Sequence, residues 1–567
     1  MTQLLFIFFN LIFFMVGRGL VLIANKSVFN NRKFDDKEIF GTHYYVFYPL
    51  FTIIFLSNLV FILNFFFPIK NLIVPIFLFI FLIVSINFFN RPILKNFKLK
   101  IYTFFVFPLL LSISAHGIWL GWDTGLYHLQ SQAWIRESNL VIGLSNLNVW
   151  LGWSSIYEYL SSLFWLDENY VLIHFLKLVI YNFLLIYLLH NILFNKNNFL
   201  KFSSLAILLY SILDNFGYLG GGNGFPGLLT VGKFDEVLGI LLYITSALLL
   251  ARIFEEKYNL NEFLILIYFS LFCFQLKQNG VTVIFPLLIY IFGYIKKKEI
   301  TFLNMLNFIK LPIILALLWI TKNILVTSCL FYPVSFTCIN YFDWYGIDTN
   351  YAAEGWLVKA PITFGSDKAI SEQFLIWLNE SKHKQYFYNF LLSFIAIYIT
   401  NKIFLYKSNT KKQGPRNKLI LFSYFIFLFS FWFNSNGANP RYGFGIWLLA
   451  MTLFYVDYEN IEIRPFIKKY IGYIAIITAI ISITGIPRIY SYQASNDNIL
   501  YLSEIGNPWE GDNKSFAGLK RPTYIESKYG FGVFTESALC WEVIKCHHID
   551  KKIIFLEEGF FSKFLIP

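Results

Sequence analysis

The segment GWDTGLYHLQ, residues 121–130, sets a carboxylate, a phenol and an imidazole close together at Asp123, Tyr127 and His128. The spacing brings Asp123 and His128 near each other on a turn or on the first turn of a helix. A carboxylate in that position can act as a general base. It directly follows the apolar run 101–120, where an acid is poorly hydrated and attracts a cation or a proton donor. The plainer role is an N-cap for a helix starting near Gly125, since Asp is a favoured cap. His128 either orients that acid, contacts a phosphate, or is an ordinary hydrogen-bonded histidine. The residues alone leave these readings open.

Other stretches offer similar groups. GKFDEV places Asp235 and Glu236 just before an apolar run, as Asp123 sits just after one, and NYAAEGW carries Glu354. For all three a solvated helix cap is the competing role. FQLKQNG sets Lys277, and NPRYGFG sets Arg441, at the edge of an apolar run. A guanidinium suits a phosphate by forked donation, although both cations can equally snorkel from helix ends. Glycines 222, 224 and 227 form a G-x-G-x-x-G pattern, but no strand precedes it as a dinucleotide site requires. That run reads as a loop.

The elements that must position these groups are membrane helices. The 567 residues are 57% apolar and only 14% charged, against about 25% charged in soluble domains. Apolar runs predict fourteen helices near 4–24, 44–63, 71–89, 101–120, 170–193, 202–213, 237–251, 262–276, 281–295, 311–326, 389–406, 419–433, 444–456 and 470–486. Several approach the roughly 20 residues that cross a bilayer. The first has no small-residue cleavage site and reads as a retained helix. The net charge of +12 is concentrated in loops 90–100, 296–300, 406–418 and 464–469. Basic short loops stay cytoplasmic, so the charge is an orientation signal and not a nucleic-acid footprint. The expected location is a bacterial inner (plasma) membrane. Both the amino terminus and the tail 487–567 then lie outside, with the elaborated segments 121–169, 214–236 and 327–388.

The reading is therefore an all-α polytopic protein, with a transmembrane domain over 1–486 and a small outer tail over 487–567. Residues 126–137 form an amphipathic pattern, with Gln130 and Gln132 on one side and Trp134 on another. This predicts a helix lying along the interface, with a second helix at 154–165 and Trp134, Trp150, Trp153 and Trp165 at headgroup depth. KKIIFLEEGF in the tail can supply a strand. Cys273 reads as a small buried residue. The pairs Cys329/Cys338 and Cys540/Cys546 fit two local disulfides in an oxidising compartment, because neither spacing fits a zinc site.

A resemblance adds to this. Asp123, Tyr127 and His128, then GLSNL at 143–147, then Ser154 and Ser155, resemble a family of largely uncharacterised bacterial polytopic membrane proteins. The likeness continues through SCLFYPVSFTC and CWEVIKC and covers most of the chain. More loosely, an acid beyond an early span in a large outer loop resembles the GT-C superfamily of polyprenyl-phosphate-sugar glycosyltransferases. Here the acid follows the fourth predicted span and not the first, which implies additional amino-terminal helices. The resemblance implies transfer of a sugar from a polyprenyl-phosphate donor to a cell-surface glycan or lipid acceptor. Asp123 would be the base or a metal ligand, with His128, Asp235, Glu236 and Glu354 as further catalytic candidates. Lys277, Arg441 and Tyr127 would bind the donor phosphate, where a divalent cation can also serve. Those groups should then converge on one cavity in the bilayer's outer face. Two alternatives are an O-antigen-type polymerase or ligase, which the long 327–388 segment suits, and a transporter or flippase for a lipid-linked glycan.

Overall fold

The computed structural model describes residues 2–28, 38–89, 97–165, 169–213, 230–297, 301–346, 370–379, 381–407, 415–434, 440–453, 461–466, 469–474, 476–477, 524–526, 532–535, 539–547, 553–556 and 561–565. Among them the chain is mostly helical. Seven helices among the described residues are long and apolar enough to cross a membrane: Thr2–Ala24, Tyr44–Asn64, Ile69–Asn87, Val171–Phe194, Asp235–Glu255, Gln278–Lys296 and Lys310–Thr327. Shorter apolar helices cover Leu99–Ala115, Leu260–Leu276 and Phe390–Ile399. Helices also stand at Asn198–Leu213, Pro415–Asn434 and Phe444–Ala450. The segment expected to be helical at 470–486 lies mostly outside the described residues.

Asp235–Glu255 is buried along its whole apolar window and Val171–Phe194 along 94% of its own, whereas Ile69–Asn87 is 22% buried. The first two are the centre of the bundle and the third is its rim. Polar groups inside the bundle bond across helices, as they must where water is absent. Asn182 Nδ2 donates to Asn10 Oδ1 at 2.9 Å and to the Thr103 carbonyl at 3.2 Å.

The run 101–120 is not one straight helix. It passes from a π-helical turn at Tyr102–Val106 into Phe107–Ser112, with Pro108 in the first turn, and tightens at Ile113–Gly117. Pro108 has no N–H to donate and crowds the carbonyl four residues earlier, and the wider turn upstream accommodates it. The chain then extends, and Trp119–Leu120 pairs in parallel with Thr230–Val231. This short pairing brings the two segments that carry Asp123 and Asp235 together.

The stretch 121–165 is more enclosed by protein than its amphipathic pattern predicts. The helix Leu129–Glu137 forms, but its polar face is buried rather than wet: Gln130 and Gln132 are both fully covered. Gln130 Nε2 donates to the Cys546 carbonyl at 2.8 Å, and Gln132 Oε1 accepts from Trp165 Nε1 at 2.8 Å. Trp134 is buried against Phe564, rings 5.7 Å apart. Alternation of polar and apolar residues cannot distinguish water from a partner segment that offers carbonyls. The second helix is Ile156–Ser161, also buried.

The partner is the carboxyl-terminal tail. Its described parts include a three-stranded sheet built from Tyr524–Glu526, Val533–Thr535 and Cys546–His547, and a hairpin pairing Ile554–Leu556 with Lys563–Leu565. Cys540 and Cys546 are disulfide-bonded, as are Cys329 and Cys338, while Cys273 is free and buried. The Cys540 and Trp541 amides both donate to the Gly125 carbonyl, at 3.1 and 2.8 Å. A side chain at Gly125 would begin 2.7 Å from the Trp541 ring, so only glycine lets the two segments touch. At GLSNL, Gly143 takes a left-handed φ of 67°, and Asn146 Nδ2 donates to the carbonyls of Trp344 and Phe564.

Candidate functional site

The segment 230–236 organises the site. Thr124 Oγ1 donates to the Val231 carbonyl at 2.6 Å, adding a side-chain bond to the Trp119–Leu120 pairing. Gly232, at φ +85°, passes so close that a Cβ would lie 3.1 Å from Thr124 and 3.3 Å from His128. Directly after this turn, Lys233 Nζ meets Asp123 Oδ2 at 3.0 Å. The helix then starts at Asp235, with Asp235 and Glu236 in its first turn, where exposed amides favour negative charge.

Each of those acids faces a lysine from a different helix. Lys277, immediately after Leu260–Leu276, donates to Asp235 Oδ1 at 2.8 Å. Its ammonium also lies over the rings of Tyr442 and Trp153, at 3.8 and 4.8 Å, so aromatic faces replace part of its hydration. Lys177, one turn into Val171–Phe194, stands 3.4 Å from Glu236 Oε2 and donates to the Thr230 carbonyl at 2.8 Å. Exposure falls along the series. Side chains of Asp123 and Lys233 are 22% and 14% exposed, those of Asp235 and Lys277 8% and 7%, and those of Glu236 and Lys177 1% and 2%. The cluster is therefore most exposed at Asp123 and most deeply buried at Glu236.

His128 lies beside it. Its Nδ1 is 2.7 Å from Glu158 Oε1, and both side chains are sealed from solvent, at 3% and 0%. Phe234 sits between the parts, its ring 5.1 Å from His128 and 6.0 Å from Tyr157. The Tyr157 hydroxyl is buried without a hydrogen-bond partner among the described residues; burial and the nearby Glu236 hold its pKa well above the ordinary phenol value. Tyr127 is buried, its ring 4.0 Å from His128 and stacked on Trp150 at 6.0 Å.

The structure thus brings together Asp123, Tyr127, His128, Asp235, Glu236 and Lys277. The chain at Pro440–Gly443 also borders the site, because Tyr442 covers Lys277; the Arg441 side chain lies outside the described residues. So does Glu354, as does the glycine pattern at 222–227. The cap reading for Asp123 does not hold. It precedes the turn Thr124–His128 with helical φ and ψ of −61° and −28° and makes no capping bond. A capping side chain folds back from an extended residue; here the backbone is already helical and the carboxylate meets Lys233 instead. No group of three or more His, Cys, Asp or Glu side chains is placed to hold a metal among the described residues.

Sequence reading passed over Glu158, Lys177 and Lys233 as site residues. Two had a usable signal. Ser155 and Glu158 form a capping box, each satisfying the other's backbone amide, in the S-x-x-E pattern that marks a helix start. Lys177 is a charge inside an apolar span, which by itself points to function or pairing.

The sequence profile of a family described as a domain of unknown function (DUF8201) matches residues 1–448, so the chain belongs to that family. No curated protein and no solved structure matches it. The matched stretch carries every member of the cluster and stops short of the tail that docks on it.

Proposed function

We propose that this protein is a multi-pass membrane glycosyltransferase, moving a sugar from a polyprenyl-phosphate donor to a cell-surface glycan or lipid at the outer face of a bacterial inner membrane. One observation carries the reading: three acids and three lysines from four segments of the chain converge where the spans end, with exposure rising from Glu236 to Asp123. A lipid-linked donor keeps its chain in the bilayer and its phosphate at that depth. Lys277 and Lys233 would neutralise the charge that develops on the departing phosphate. Asp123, the most exposed acid of the three, would receive hydroxyls of the sugar or the acceptor.

The step itself is a substitution. The acceptor oxygen bonds to the anomeric carbon, the bond from that carbon to the phosphate oxygen breaks, and the electron pair leaves with the polyprenyl phosphate. Aqueous donors on the cytoplasmic face would need no such placement. The proposed sidedness is tested by single cysteines at Tyr341, which is 94% exposed, and at Lys257, whose side chain is 68% exposed at the opposite end. An impermeant thiol reagent on intact cells should label only the former; labelling of Lys257→Cys would overturn the orientation. Function is tested with purified protein in vesicles, offered polyprenyl-phosphate-linked hexoses labelled in the sugar. Release or transfer of sugar that falls about 10–100-fold in Asp123→Asn is expected, the range of a lost charge-assisted hydrogen bond. No release from any such donor by the wild type, and unchanged surface glycan in cells lacking the gene, would overturn it.

A further inference from the structure

We infer that the proton acceptor of this site is Nε2 of His128, and that Glu158 is the residue that positions it. The inference takes its substrate from the glycosyl-transfer reading, while its geometry stands apart from it.

Nδ1 of His128 lies 2.7 Å from Glu158 Oε1, with both groups buried. An ionised carboxylate can only accept, so the ring proton sits on Nδ1 and the neutral ring presents a lone pair at Nε2. Nε2 has no hydrogen-bond partner among the described residues. Glu158 cannot swing away, because Oε2 accepts from the Ser155 amide at 3.1 Å and closes the capping box of Ile156–Ser161. The buried Lys322 side chain lies over the Trp319 ring on the neighbouring helix. The rings of Tyr127 and Phe234 fix the imidazole plane from two sides. The left-handed Gly232 passes close to the Cβ of His128, where a side chain on it would lie 3.3 Å away, and so fixes the base of the histidine.

Asp123 is differently placed, since Oδ2 is committed to the Lys233 ammonium. Work divides accordingly. Asp123 holds hydroxyls at the exposed end. As the acceptor oxygen attacks the anomeric carbon, its proton passes to Nε2 and the phosphate departs with the bonding pair. The imidazolium that results is stabilised by Glu158 until water removes the proton. This is the carboxylate–imidazole logic of acyl-transfer triads applied to a different substrate. In this chain it is assembled from a π-turn residue and the third position of a neighbouring helix.

Glu158→Gln is the informative variant, because Gln at that position still closes a capping box while the charge is lost. Donor cleavage measured with polyprenyl-phosphate-linked hexoses should show kcat lowered about 10²–10⁴-fold, the usual range for general acid–base catalysis, with KM within about twofold. His128→Ala should lose activity to a similar degree and recover part of it with added imidazole. Full activity in Glu158→Gln, or no rescue of His128→Ala by imidazole, would overturn the assignment. A second arm needs no turnover: diethyl pyrocarbonate acylates only an accessible, unprotonated ring nitrogen. Mass mapping of the solubilised wild type should find His128 modified. An unmodified His128 would mean a sealed structural pair and end the proposal, whereas a modified His128 in a protein that cleaves no donor would keep the dyad and remove the glycosyl-transfer reading.

Discussion

The helix Asp235–Glu255 carries charge at both ends, about 30 Å apart at 1.5 Å per residue, and the two ends are built differently. At the far end Arg252 gives one N–H to Glu255 and another to Glu262, both at 2.6 Å. Glu262 also accepts the Phe40 amide at 2.8 Å, and Glu255 accepts from Asn197 at 2.7 Å. Asn195 then ties Phe40, Thr42 and Asn191 together. Every carboxylate there has two or more donors, and the network locks the segment 38–43 onto the bundle. At the Asp123 end each acid has a lysine partner, exposure rises from Glu236 to Asp123, and the Tyr157 hydroxyl is left without a partner among the described residues. One end is a charge network deep in the bundle's framework, and the other is a series of acid–lysine pairs that grows more exposed toward Asp123.

The contrast can be broken by mutation, taking effects on stability in descending order. Lys177→Met strands the buried Glu236 and should destabilise the solubilised protein by about 3–5 kcal/mol, with Glu236→Leu restoring most of it in the double variant. Apparent unfolding midpoints in detergent check this; a single variant as stable as wild type would mean that the buried end of the cluster is hydrated rather than closed. Arg252→Met should cost about 2–3 kcal/mol through its two charged bonds, yet leave turnover per folded molecule unchanged. If turnover falls with it, the two ends are coupled and the division fails. Gly125→Ala forces Trp541 off the chain and should cost about 1–3 kcal/mol as overpacking. Limited proteolysis should then cut the tail first, and reduction of Cys540–Cys546 should have the same effect. Asp123→Asn should change stability by less than about 1 kcal/mol, since its pair sits at the partly exposed end of the cluster, while lowering sugar transfer as stated above. Smallest of all, Lys70→Ala removes an exposed pair with Glu137 and should fall within about 0.5 kcal/mol of wild type.

Particular residues show how far the chain could be read. Apolar runs located a helix at nearly every expected place, because a stretch that buries itself in lipid or in a bundle must satisfy its own backbone bonds. Seven of those helices meet the length and hydropathy of a span among the described residues. Cysteine spacing placed both disulfides correctly. Asp123, Asp235 and Lys277 were all legible as polar groups at the edge of apolar runs, and Lys277 does meet Asp235. What the pattern could not show is the partner of each. Lys233 pairs with Asp123 across 110 positions of sequence only because two dipeptides form a parallel bridge. Likewise the polar face of Leu129–Glu137 looked wet because the tail that covers it lies about four hundred residues later.

The sequence by itself determined a membrane-embedded helical chain, the positions of its apolar helices, its local disulfides and which polar groups stand at helix ends. Those are consequences of composition and short-range spacing, where burial and backbone satisfaction leave few choices. Only the tertiary structure decided that Asp123 is an ion-pair partner and not a cap, that Glu158 lies against Nδ1 of His128, and that the tail closes over Gly125. Each of these depends on contacts between segments far apart in the chain, and an unpaired carboxylate has the same letter in the sequence whichever lysine the fold finally brings to it.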